Sequence, residues 1–204
     1  HCYLAQLAAL DIVFNQDYYC DNYLKEDTQF FGHPKRIKDN IHFPISAGAL
    51  GQGLTFGNGL SLADKLIGNN QKTISIIGDG EMNEGSCTEA LVFACQHKLN
   101  HCFVIDNNNQ ISLGKTSDIY NLGNLQKRLF SFGLEGETIN GHDYFDLDRA
   151  LDIILKSKAP RFLILNTVKG KGVSFMEGVD KWHHRRFKGN EFQDAFDELT
   201  LDDK

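Results

Sequence analysis

Apolar positions along this chain follow two different periods. From Thr73 to Ile77 and from His101 to Asp106 apolar and β-branched residues dominate, the pattern of strands buried in a parallel sheet. Leu134–Ile139 and Arg161–Val168 read as two further strands. Between and after them the spacing lengthens to that of helices, at Ser86–Leu99, Leu125–Phe132, Tyr144–Lys156 and Glu191–Leu199. Ser86 with Glu89 three residues on is a capping-box signal for the first of these. The amino-terminal third differs. Leu4, Leu7, Ala8 and Leu10 place a helix within Cys2–Phe14, whereas Asp21–Ile45 is polar, carries Gly32, Pro34 and Pro44, and reads as a long ordered loop of the kind that often serves function. Gly48–Ile67 mixes glycines with apolar residues. Glycine lowers helix propensity but permits close backbone approach, so a tight turn followed by a buried helix is expected. Strands alternating with helices predict an α/β protein, a doubly wound, mostly parallel sheet flanked by helices, forming a single domain over residues 1–204.

Composition narrows the class. With 204 residues, 41% hydrophobic content and a net charge of −6, the chain can bury a core and offers no general nucleic-acid surface. The basic run Lys181–Arg186 is the local exception and suits a small anion better. Five cysteines without C-x-x-C spacing read as reduced thiols, with Cys87, Cys95 and Cys102 packed inside, in a cytoplasmic protein. No apolar run reaches the length of a membrane span, and no membrane partner is expected.

The candidate chemistry lies where two strands stop. Thr73–Ile77 runs into Gly78-Asp79-Gly80, and the strand from His101 runs on to Asn109, about thirty residues after Asp79. In a parallel sheet both tips lie at the same edge. One carboxylate, one amide oxygen and a nearby main-chain carbonyl make a hard-oxygen site. Such a site suits Mg²⁺ that leaves its other positions to water and phosphate. Asp and Asn also favour strand ends as plain turn residues, so the pair alone does not decide. The glycines Gly51, Gly53 and Gly57 have the wrong spacing for a dinucleotide fingerprint and follow no strand.

The ordered set of motifs resembles the diphosphate-binding, amino-terminal half of the transketolase family. Gly78-Asp79-Gly80…Asn109 resembles its thiamine diphosphate motif, and Glu81-Met-Asn-Glu84-Gly85 its Glu-x-x-Glu-Gly run. Gly48-Ala-Leu50-Gly51-Gln-Gly53 resembles a Gly-x-Leu-Gly-x-Gly turn, and Gly32-His33-Pro34 a Gly-His-Pro loop. Lys169-Gly-Lys-Gly172, Met176-Glu177 and Trp182-His183 resemble the closing strand and loop. The resemblance implies a thiamine diphosphate-binding fold with two cofactors, thiamine diphosphate and Mg²⁺. Asp79, Asn109 and the Ile111 carbonyl would hold the metal. Gly48, Leu50, Gly78, Gly80, Glu81 and His183, together with Asp79 and Asn109, would hold the cofactor. His1, His33 and His183 would be the catalytic histidines, a residue type whose pKa suits proton shuttling. Glu84 and Glu89 would lie at a partner interface. The remaining histidines, His42, His97, His101, His142 and His184, are read as structural.

By the same resemblance the activity would be transfer of a two-carbon ketol unit from a ketose phosphate to an aldose phosphate. The activating glutamate of the family lies in a pyrimidine-binding domain that this chain lacks. The chain would therefore be an amino-terminally truncated diphosphate domain, either one half of a split two-gene transketolase or a fragment. It would act only with a carboxy-terminal, pyrimidine-binding partner, in an αα′ββ′ heterotetramer. The alternatives are the decarboxylating component of a 2-oxo-acid dehydrogenase, a deoxyxylulose-phosphate-type synthase, and a non-catalytic scaffold that keeps the fold.

Overall fold

A computed structural model of the chain describes residues 3–201, apart from 41, 113 and 122. The chain forms two compact units, residues 1–52 and 53–204.

In the first unit, helix α1 (Tyr3–Phe14) and the single turn α2 (Tyr18–Asp21) are followed by irregular chain. Tyr3, Leu7, Tyr19, Phe30 and Phe43 form its core. The aromatic rings meet mostly edge to face, with Tyr19 and Phe30 centroids 5.4 Å apart, a favoured geometry for aromatic quadrupoles. Asp11 is buried, and its carboxylate accepts the N–H groups of Tyr19 at 2.9 Å and Cys20 at 2.7 Å. Those bonds outweigh its desolvation and hold its pKa below the usual carboxylate value. The long loop predicted over Asp21–Ile45 carries no helix or strand beyond the end of α2 among its described residues.

The second unit is the predicted α/β layer structure. Helix α3 (Gln52–Leu66) leads into β1 (Thr73–Gly78), a 3₁₀ turn (Glu81–Asn83), α4 (Gly85–His97) and β2 (His101–Asn107). A two-residue hairpin, β3 (Gln110–Ile111) and β4 (Gly114–Lys115), is followed by α5 (Thr116–Ile119), α6 (Leu125–Ser131), β5 (Glu135–Asn140), α7 (Tyr144–Lys156) and β6 (Arg161–Asn166). A second 3₁₀ turn (Asp180–His183) and α8 (Glu191–Leu201) complete it. Among the described residues the main sheet has the order β1-β2-β6-β5 with every pair parallel. Register aligns Gly78 with Asp106, and Asn107 and Asn140 with Asn166, so the carboxyl ends of all four strands share one edge.

Alternating side chains of the inner strands serve two cores. Phe103, Ile105, Phe162 and Ile164 pack with Leu54 of α3, Leu91 of α4 and Leu129 of α6. Cys102, Val104 and Leu163 pack with Ala150 and Ile154 of α7 on the opposite face. Each fully buried phenylalanine contributes roughly 2–3 kcal/mol by burial. α7 begins where Asp143 accepts the N–H groups of Phe145 and Asp146, a side-chain N-cap.

Three local expectations change. β1 is not fully buried: it is an edge strand in which Ile74 and Ile76 stay exposed. Both lie on the face served by α7, whose core takes no residue from β1. The capping box is not formed, because α4 starts at Gly85 behind Glu84, which makes no side-chain cap bond, and Ser86 is already inside the helix. α3 is buried only along a small-residue stripe, Leu54, Gly57, Asn58 and Ser61, leaving Phe56, Leu60 and Leu66 exposed. Among the described residues no helix is long and apolar enough to cross a membrane.

Candidate functional site

The tip of β1 sets the position of Asp79. Its N–H donates to the Asp106 carbonyl at 3.0 Å, which extends the β1–β2 ladder by one rung. The side chain is thereby carried inside the sheet edge, where only 4% of the residue is exposed. Burial raises its pKa above the usual carboxylate value. The nearby Thr116 hydroxyl and the N–H groups of Gly80 and Asp79 oppose that shift, and the charge of Asp106 adds to it. The Thr116 hydroxyl is itself buried and completes no hydrogen bond of good geometry.

Gly80 fits only without a side chain, because a Cβ there would overlap the Ile111 Cγ2. Asp79-Gly80 and Ile111 are thus drawn together from separate strand ends. Asn109 stands between them in the chain with φ +56°, a left-handed conformation that Asn tolerates better than most residues. Its carbonyl accepts the Thr116 N–H at 3.1 Å, its side-chain oxygen accepts the Ser117 N–H at 2.9 Å, and its side-chain N–H donates to the Ser117 hydroxyl at 3.2 Å. Thr116 therefore touches both partners, Asp79 by its hydroxyl and Asn109 by its N–H.

The donor set fits a hard divalent cation. Asp79 offers a desolvated carboxylate, Thr116 a buried hydroxyl that completes no hydrogen bond of good geometry, and Asn109 an amide oxygen with a second lone pair beyond the Ser117 bond. Among the described residues no group of three or more His, Cys, Asp or Glu side chains could hold a metal ion.

The chain after β6 folds back to the same region. Lys169 lies in the field of Asp79, Asp106 and Asp180, which partly offset the burial that lowers its pKa. Its ammonium donates to Nδ1 of His183 at 2.6 Å. Because lysine can only donate, His183 is a neutral imidazole with its proton on Nε2. Burial, then the charges of Lys169 and His184, keep its pKa low. Trp182, one residue earlier, donates its indole N–H to the Phe175 carbonyl at 3.0 Å, and the Arg185 guanidinium lies 4.0 Å from its ring centroid. Gly78 ends β1, and Glu81 opens the 3₁₀ turn behind Gly80, where its carbonyl faces the Cys87 thiol at 3.3 Å.

His33, Gly48 and Leu50 belong to the first unit. Gly48 adopts φ +148°, and a Cβ there would stand 3.4 Å from His33 Cδ2, so the ring lies against the glycine. Pro34 and Ala47 are tied by a 3.0 Å backbone bond beside this contact. Leu50 is half exposed. His1 lies outside the described residues.

Two of the histidines read as structural have clear partners. Buried His101 bonds Asn58 Oδ1 through Nδ1 and Ser75 Oγ through Nε2, both at 2.8 Å, and burial lowers its pKa to about 4. His142 Nε2 accepts the Val168 N–H at 2.8 Å. The thiols of Cys87 and Cys102 are pushed up to about 12 and about 11 by burial, as inert core cysteines should be. Thr116 and Gln110 were missed by sequence reasoning. Their signal, two residues of hairpin followed by one helical turn, is too short to carry a period.

Residues 16–204 match the family model described as transketolase, thiamine diphosphate binding domain. The chain is 38% identical over 178 residues to a subunit of the apulose-4-phosphate transketolase of Actinobacillus succinogenes, covering 87% of this chain and 64% of that protein. It is 30% identical to a 6-deoxy-6-sulfo-D-fructose transketolase subunit of a Clostridium species, covering 80% of this chain and 60% of that one. The chain thus spans less than two thirds of the length of these relatives. A crystal structure of transketolase from Campylobacter jejuni superimposes with a TM-score of 0.78 at 29% identity, covering 88% of this chain and 29% of that one. A match over nearly the whole chain, supported by fold and sequence alike, makes this chain a member of the transketolase family, within its thiamine diphosphate binding domain.

Proposed function

We propose that this chain is the diphosphate-binding half of a transketolase, which transfers a two-carbon ketol unit between sugar phosphates and works only with a pyrimidine-binding partner. The observation that carries the reading is the buried Asp79 carboxylate at the strand edge, beside a buried hydroxyl that completes no bond of good geometry and a glycine whose Cβ would overlap Ile111. Hydrogen bonds from the protein offset that burial only in part, and a divalent cation would supply the rest.

In this reading Asp79, Asn109 and the Ile111 carbonyl hold Mg²⁺, and Gly80 offers its N–H to the diphosphate. Gly78 and Glu81 frame that turn, and Gly48 and Leu50 line the pyrimidine side. Thiamine diphosphate, when bound, supplies the electron sink that lets a carbon–carbon bond beside a carbonyl break. The protein's part is binding, orientation and proton movement. Lys169 places a positive charge beside the carboxylates where a diphosphate would add negative charge. His183, neutral with its proton on Nε2, would hydrogen-bond a substrate oxygen, and could pass that proton on only as the Lys169 ammonium delivers its own to Nδ1. His33, in the first unit, is a second candidate for hydroxyl protons, and His1 a third by resemblance.

Need for a partner is supported by two observations. Relatives bear the name of subunits. In addition α4 exposes Val92 and Phe93 on an open, largely apolar face shared with Thr88, Glu89, Gln96 and His97. An exposed apolar helix face suits the seat of another protein chain, and a heterotetramer would bury it. The protein and its partner, purified together, should transfer a ketol unit only with both Mg²⁺ and thiamine diphosphate. Release of CO₂ from a 2-oxo acid, with no ketol transfer, would overturn the assignment.

A further inference from the structure

Gln110 lies between Asn109 and Ile111, but its side chain points away from them along the chain's own fold. Its Nε2–H donates to the Gly178 carbonyl at 2.6 Å. Gly178 in turn donates its N–H to the Lys169 carbonyl at 2.9 Å, and Lys169 holds His183. A short series of bonds therefore runs from the Asn109–Ile111 loop to the imidazole. The backbone of Gln110 is pinned separately, by its N–H to Asn108 Oδ1 at 3.1 Å and by pairing with Lys115. The amide orientation is fixed by its acceptor, because turning it over would set Oε1 against the Gly178 oxygen. Oε1 is buried and has no hydrogen-bond partner, so the side chain is committed to this one contact. Close by, the Gly114 Cβ position lies 3.9 Å from Asp180 Oδ2, so the hairpin and the returning chain pack together.

From this geometry we propose that Gln110 is a positioning residue that couples the loop carrying Asn109 and Ile111 to the loop carrying Lys169 and His183. Seating the metal and diphosphate on the first loop then steadies the second. The inference rests on the function proposed above and adds to it a residue that touches neither cofactor nor substrate.

The test uses the full protein assembled with its partner. Hydrogen–deuterium exchange is followed in peptides covering residues 168–187, with and without Mg²⁺ and thiamine diphosphate, and cofactor affinity is measured by calorimetry. Wild type should exchange more slowly over 168–187 once the cofactor is added. Gln110→Met keeps much of the volume and loses the donor. It should bind the cofactor about three- to tenfold more weakly, the range expected for one hydrogen bond, and lose most of the added protection at 168–187. Gln110→Lys keeps a donor with enough reach and should restore both. Protection of 168–187 in Gln110→Met equal to wild type would overturn the coupling, as would equal impairment of the Met and Lys variants. If wild type binds no cofactor at all, the proposed function fails first and the coupling falls with it.

Discussion

At the scale of single residues, Asp79 is the most consequential position. A carboxylate with a raised pKa costs the folded chain stability whenever it is ionised. Below the ordinary carboxylate pKa the group is protonated in both states and the cost is absent. The cost appears as pH rises past that value and is complete above Asp79's own, raised pKa. Without divalent ions Asp79→Asn should therefore melt a few degrees above wild type at pH 7.5, with the gap shrinking towards pH 4, as thermal unfolding followed by circular dichroism would record. A lower melting temperature for the variant across that range would mean that the carboxylate is already compensated by the protein. The placement of Asp79 and Asn109 past strand ends at one sheet edge was legible in the sequence, because a run of strand residues fixes where the strand stops and parallel strands stop at one edge. Thr116 and Gln110 were not legible, because their roles arise where a hairpin of four residues folds onto the neighbouring turn and no local pattern records that.

At the scale of elements, α3, α4, β1 and β2 are tied by one buried polar chain. Asn58 donates to the Ala90 carbonyl at 2.7 Å and accepts from His101 Nδ1–H, so His101 Nε2 must accept from the Ser75 hydroxyl. Gly57 leaves the space for this network, since a Cβ there would lie 2.6 Å from both His101 Cε1 and Ser75 Oγ. Gly57→Ala gains helix propensity worth about 1 kcal/mol. Overpacking and a broken buried hydrogen bond should outweigh it, with a net loss of roughly 1–3 kcal/mol in urea unfolding. A neutral or stabilising effect would show that the helix can shift outward without breaking the chain. Helices were legible from their period, α7 to the residue, and the inner strands from their continuous apolar runs, because both of their faces are buried. The edge position of β1 was not, because an apolar run of this length reads alike at the edge and in the middle of a sheet. The missing capping box has a similar cause: Ser86-x-x-Glu89 fits the motif, but Glu84 already takes the cap position with extended backbone angles, φ −67° and ψ 132°.

For the whole molecule, candidate residues are divided between two compact units. His33 and Gly48 meet in the first, while Asp79, Thr116, Asn109, Lys169 and His183 gather in the second. The family and the sheet were both readable from the ordered motifs, which run through nearly the whole chain. The amino-terminal unit was not readable as a separate body, since its core is a handful of aromatic rings spread across a loop-rich stretch with no period. Function as proposed requires the second unit to bind thiamine diphosphate through a divalent cation at Asp79. Calorimetry on the protein with its partner measures this directly, by titrating thiamine diphosphate with and without Mg²⁺ into wild type and Asp79→Ala. Wild type should bind tightly and lose that binding on removal of Mg²⁺, and a folded Asp79→Ala should bind at least about a hundredfold more weakly and independently of the metal, the loss expected when a buried charged partner is removed. Equal, Mg²⁺-dependent affinity in the two proteins would contradict that requirement.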